Sequence, residues 1–108
     1  MFKKGSIVLV PFPFTDLSGN KVRPAVIISK GKIGKDITVV FITSNSKKRS
    51  RYTLNLSPSP ENGLKASSQV HVSKIATIES TIVLGELGSL TSNELQKLNT
   101  LMREVFAL

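Results

Sequence analysis

KVRPAVIISK (residues 21–30) sets an arginine and a proline directly before an unbroken apolar run. Proline lacks a backbone N–H and suits the first position of a strand better than its middle, so a strand is expected to start at Pro24. Ala25, Val26, Ile27 and Ile28 do not alternate with polar residues, which is the pattern of a strand covered on both faces. Arg23 is then fixed at the mouth of a rigid element. A guanidinium held there is either a structural ion-pair partner or a tool for binding anions.

Working outward, SIVLVPF (6–12) reads as a preceding strand. PFTDLSGNKVR (13–23) reads as a loop of turn residues with Gly19 and Asn20 near its tip, longer than most connections in compact domains and of a length that often carries binding. Downstream, GKIG is a turn and DITVVFITS (36–44) a β-branched and aromatic strand ending in Thr43, Ser44, Asn45 and Ser46. After the basic loop KKRSR (47–51), YTLNL (52–56) alternates as a half-exposed strand. SPSPENG (57–63) is a loop, SSQVHVSKIATI (67–78) alternates again, and TIVLGEL (81–87) is read as the last strand.

From Thr91 the period changes. Leu95, Leu98, Leu101, Met102, Val105 and Phe106 recur at helical spacing, and TSNE supplies a capping box of Thr91 and Glu94. Five or six strands followed by one amphipathic helix predict an α+β, mainly β fold: a small, strongly twisted, SH3-like barrel with the helix packed on it. With 108 residues and no Pro/Ser-rich tether, residues 1–108 are expected to form a single domain.

The formal net charge is +8, unevenly spread. Residues 1–51 hold 11 of the 15 Lys and Arg and 2 of the 7 acids, a balance of +9, whereas residues 52–108 balance to −1. Such a field attracts phosphate backbones, anionic surfaces or acidic protein tails, although solubility alone would also account for charge. The absence of cysteine suits a reducing cytoplasm. No apolar stretch is long enough to cross a bilayer, and no leader pattern opens the sequence.

Several chemistries lack their residues. One histidine, no cysteine and the scattered Asp16, Asp36, Glu61 and Glu79 offer no metal-ligand spacing. A Ser-His-Asp triad or a histidine pair is excluded unless His71 works alone; between Val70 and Val72 it reads as a side chain facing solvent. GKIGK is followed by a strand, not a helix, and is a hairpin turn, not a phosphate-cradling loop.

The order GSIVLVPF, DLSGNKVRPAVIIS, DITVVFITS, IATI and LGELGSLTSNELQKLN resembles the MazF/PemK family of toxins from type II toxin–antitoxin systems, from Gly5 to the C-terminal helix. The resemblance implies a homodimeric barrel, shared with CcdB-type toxins, that cleaves single-stranded RNA without a metal or cofactor until an acidic cognate antitoxin blocks it. It implies that Arg23 and Thr43 are the catalytic pair. The loop at 13–22 would shape substrate access, with Thr15, Asp16, Ser18 and Lys21 as its polar contacts. Ser44 is a further hydroxyl beside Thr43. Lys74 stands where many relatives carry a glutamine and is counted among the substrate contacts.

The chemistry fits these residue types. Metal-free RNA cleavage uses the substrate's own 2′-hydroxyl as nucleophile, so the protein must align the attack, stabilise charge on a pentacoordinate phosphorus and manage two protons. A permanently charged, bidentate guanidinium at Arg23 suits the charge, and the Thr43 hydroxyl can donate to a non-bridging oxygen. The general base is not identifiable, with Asp16 as one contributor or else the anchor of an Asx turn. Lys47, Lys48 and Arg49, with Arg51, either track the RNA backbone or form a solvated loop. Phe12 and Phe14 either stack on bases or pack. Two rival functions remain: a CcdB-like protein that inhibits DNA gyrase by contact, and a non-catalytic nucleic-acid-binding barrel.

Overall fold

The computed structural model describes residues 2–11, 21–44 and 51–108. Its elements, in chain order, are β1 (Ser6–Pro11), β2 (Val22–Ile27), β3 (Asp36–Thr43), β4 (Thr53–Leu56), β5 (Ser68–Glu79), a 3₁₀ turn (Ser80–Ile82), β6 (Gly85–Ser89) and α1 (Ser92–Phe106). The strands form one antiparallel sheet in the order β4-β5-β3-β2-β1-β6. The sheet is curled, an open half-barrel with the helix on one side, as the α+β barrel reading expects.

The apolar run of β2 is covered on both faces. Val26 belongs to a core with Ile7, Val40, Ile42, Leu54, Leu56, Val70 and Leu98, against which the helix residues Leu95, Leu101, Met102 and Val105 pack. Ala25 and Ile27 belong to the opposite core with Val8, Val10, Ile37, Val39 and Phe41. Neighbouring side chains of a strand point to opposite faces, so an unbroken apolar run feeds both cores at once.

The strand begins two residues earlier than expected, at Val22. Pro24 is tolerated inside it because Pro24 pairs with Leu9 of β1, while the ladder to β3 starts only at Ala25↔Phe41. A second correction concerns the last strand. Residues 80–82 form a 3₁₀ turn and β6 runs Gly85–Ser89, so the apolar Ile82 and Leu84 precede the strand and are exposed. The alternating run at 68–79 is one long strand, but its pairing slips. Val40 faces Ile75 while Phe41 faces His71, which leaves residues 72–74 unopposed on β3. Such a bulge bends the strand and increases its twist.

The helix starts where the capping box puts it. Thr91 Oγ1 accepts from the Glu94 amide at 3.2 Å, and Glu94 Oε1 accepts from the Thr91 amide at 2.9 Å. The loop at 57–63 is organised by buried Asn62. Its Oδ1 accepts from the amides of Ser59 and Leu64 at 3.0 and 2.9 Å, and its Nδ2 donates to the Ser57 carbonyl at 2.8 Å. The loop lies directly on β6: a Cβ at Gly88 would stand 2.1 Å from the Glu61 carbonyl oxygen, so only glycine fits.

Candidate active site

Four neighbouring strands bring their polar ends together on one face. β3 ends at Thr43, which pairs with Gln69 of β5, and Gln69 pairs with Asn55 of β4. On the other side of β3, the ladder to β2 ends at Ala25↔Phe41, and Arg23 and Thr43 each lie two residues beyond that pair, at the same end of their strands. Strand alternation keeps Arg23 on the face of Ala25, and Thr43 on that of Phe41. The paired outer row is therefore Thr43, Gln69 and Asn55, with Arg23 on the same face of β2 at its flank. One step inward stand Ala25, Phe41, His71 and Thr53.

The row is hydrogen-bonded. Gln69 Nε2 donates to Asn55 Oδ1 at 3.1 Å. Thr43 Oγ1 and His71 Nε2 lie 3.0 Å apart, both half-buried. His71 is thus not a side chain turned to solvent: with Val70 and Val72 in the helix-side core, it points to the opposite face and meets the end of β3. Partial burial holds its pKa below the usual 6.5, and the nearby Lys74 ammonium lowers it further. The imidazole is accordingly neutral at pH 7.

Two hollows flank the end of β3. One of about 310 Å³ is lined by Thr43, Ser44, Asn55, Leu56, Ser57, Ser67, Ser68 and Gln69, and is rich in hydroxyls and amides. The other, of about 340 Å³, has Leu9, Pro24, Leu64 and Leu87 among its walls, with Lys65 as its charged group. Both include Ser44 and Ser68, which stand on the divide between them, while Thr43 lines the first hollow only. The Asn62-anchored loop supplies Ser57 to one hollow and Gly63 to the other, which makes the walls rigid.

Of the residues expected from sequence, Thr43 and Ser44 stand at the end of β3, and Arg23 lies on the neighbouring strand β2, two residues before its first pair with β3. Lys21 is exposed two residues before Arg23, and Lys74 is exposed in the β5 bulge, where it acts on His71. Thr15, Asp16, Ser18, Lys47, Lys48 and Arg49 lie outside the described residues, as do Phe12 and Phe14. Among the described residues no three His, Asp or Glu side chains converge to hold a metal. Sequence reasoning missed His71, Gln69, Asn55 and the serines of the first hollow. Alternation gave their face, but only the pairing register gives their neighbours.

Residues 3–106 match the family model of the PemK-like, MazF-like toxins of type II toxin–antitoxin systems. No curated protein sequence matches significantly. Among solved structures, the chain is similar to an endoribonuclease of a mycobacterial species in complex with its cognate antitoxin, at TM-score 0.80 and 18% identity over 98% of this chain and 95% of that one. It is similar to the Mycobacterium tuberculosis toxin MazF-mt6, at TM-score 0.78 and 20% identity over 95% and 97%. It is also similar to MazF of Deinococcus radiodurans, at TM-score 0.78 and 16% identity over 98% and 96%. These identities establish a shared fold. Neither these structures nor the matched family model supports the gyrase-inhibitor alternative.

Proposed function

The chain belongs to the PemK-like, MazF-like toxins of type II toxin–antitoxin systems, and from that membership we propose that it is an endoribonuclease cutting single-stranded RNA by metal-independent attack of the substrate's 2′-hydroxyl. The observation that supports this reading is the polar strand-end row of Thr43, Gln69 and Asn55 beside a hydroxyl-rich hollow, with Arg23 on the same face of the neighbouring strand, two residues before the first β2–β3 pair. A strand of RNA laid along that row would place a phosphate at Thr43 and an adjacent nucleoside in the hydroxyl-rich hollow that Thr43 lines. Arg23 is the cation for the charge that builds on the phosphorus, since a guanidinium stays protonated and matches two phosphate oxygens. Thr43 is the hydroxyl in contact with the reacting ribose phosphate. Lys21, Lys65 and Lys74 add sequence-independent attraction for the backbone.

The whole chain then acts as one toxin domain, a homodimer working on mRNA in the cytoplasm. Its positive charge suits an acidic antitoxin segment that competes with RNA. One of the similar structures is an endoribonuclease solved with its cognate antitoxin, which supports the same reading here. The test is incubation of the purified protein with a long single-stranded RNA in excess EDTA, beside Arg23→Ala, followed by analysis of the fragment ends. Wild type is expected to leave 2′,3′-cyclic phosphate and 5′-hydroxyl ends. Arg23→Ala should be slower by about 10²–10³-fold, the cost of removing one charge-stabilising donor. Absence of cleavage across several RNAs, or cleavage only on addition of a divalent ion, would overturn the reading.

A further inference from the structure

The reaction needs a group to take the proton of the attacking 2′-hydroxyl, and the strand-end row holds few candidates. Arg23 carries donors only, and Asn55, Gln69, Ser44 and Thr53 do not titrate near neutrality. His71 does, and it is the only histidine in the chain. Its Nε2 lies 3.0 Å from Thr43 Oγ1, the hydroxyl that the preceding reading sets against the ribose phosphate.

We propose that His71 positions Thr43 and serves as its proton acceptor: the Thr43 hydroxyl donates to Nε2, which turns its oxygen lone pairs outward to receive the 2′-hydroxyl of the substrate. The inference rests on the ribonuclease reading. As the 2′-oxygen forms its bond to phosphorus, its proton passes to Thr43 Oγ1 and the Thr43 proton passes to His71 Nε2. The bond from phosphorus to the 5′-oxygen breaks, and that oxygen takes a proton from water. The hydroxide so formed removes the extra proton from His71, so no charge is left over. Thr43 is then an acceptor toward the ribose and not, as residue type alone implies, a donor to a non-bridging oxygen.

The surroundings of the imidazole favour its neutral form. From β3 it meets Phe41 and Thr43, which do not ionise in this range. Thr53 of β4 stands opposite, preceded by the Tyr52 phenol and by the Arg51 guanidinium that sits 5.7 Å from the Tyr52 ring. On its own strand Lys74 contributes positive charge. No carboxylate is paired with it in these ladders, so nothing there raises its affinity for a proton.

The experiment combines ¹⁵N NMR of the single histidine with pH–rate profiles of wild type and His71→Gln on single-stranded RNA in EDTA. Glutamine keeps an acceptor within reach of Thr43 but does not titrate. In wild type we expect the proton on Nδ1, a rate that falls on the acid side, and a midpoint below 6.5 that coincides with the NMR titration of His71. His71→Gln should lower kcat by about 10²–10⁴-fold with little change in KM, and should lack that acid limb. A histidine protonated on Nε2 in neutral wild type would overturn the proposal whatever the variant does, including a variant that does not fold. A His71→Gln enzyme with wild-type kcat, or with the acid limb retained, would overturn it while leaving the ribonuclease reading intact. A wild type that cleaves no RNA at any pH would overturn both.

Discussion

The two halves of the β3–β5 ladder are built from similar parts and end in different surroundings. In the half from Asp36 to Val40, Ile37 and Val39 share their face with Ile78 and Ala76, all packed into one core. Thr38 and Thr77 face the other way, joined at 2.9 Å in an exposed pair. In the half from Phe41 to Thr43, a threonine again meets a cross-strand partner, at 3.0 Å, but the partner is His71 and both are half-buried. The three-residue slip between the halves makes the difference. An odd slip exchanges the two faces of β5, so that positions equivalent to Ala76 and Ile78 are filled by His71 and Gln69. A hydrogen-bonded threonine is thus a surface detail in one half and part of a polar site in the other.

Phe41 sits at the join of the halves, fully buried, and opposite His71. Phe41→Ala should show the largest effect, a loss of about 3–5 kcal/mol from the lost burial and the cavity left behind. Urea unfolding checks it, and a loss below about 1 kcal/mol would mean that the join is not the packed centre of the ladder. The two threonines give the sharper contrast. Thr43→Val removes a hydroxyl at constant volume and should reduce RNA cleavage by about 10²-fold, the lower range for a lost proton-handling group. Thr38→Val should leave cleavage unchanged. Each should cost only about 0.5–1.5 kcal/mol of stability, the net worth of one such hydrogen bond. Equal activities of the two variants would erase the distinction between the halves.

Much of this was legible in the residues. The unbroken run 25–28 marked a strand between two cores, and Val26 and Ile27 do feed opposite ones. Thr91 and Glu94 marked the helix start because a capping box is a local, four-residue signal. Arg23 and Thr43 follow from the resemblance, and they lie on adjacent strands, each two residues beyond the last β2–β3 pair. The place of His71 was not legible. Alternation with Val70 and Val72 gave its face correctly, but its neighbours depend on a slip at residues 72–74 that no local pattern announces. The last strand was misplaced because Thr81 to Leu84 has strand-like composition, while the backbone there turns first. Local signals fix elements, and pairing fixes sites.

The smallest effect separates the halves through protons. His71 has a folded pKa below its ordinary 6.5, lowered first by burial and then by Lys74. As pH falls through 6.5, the unfolded chain takes up a proton on this side chain before the folded chain does. The stability associated with neutral His71 is therefore complete above 6.5 and is lost as pH drops toward the folded pKa. Below that value no further loss comes from this group. Carboxylates titrate mainly below about pH 5, and there is no second histidine, so the upper part of this window belongs to His71 alone. Urea midpoints measured from pH 7.5 to 5.5 should fall slightly for wild type and for Thr38→Val, and should stay level for His71→Gln. A level wild-type profile would mean that the imidazole is as well solvated as in the unfolded chain, and the half-buried threonine pair would then differ from the exposed one in partner but not in environment.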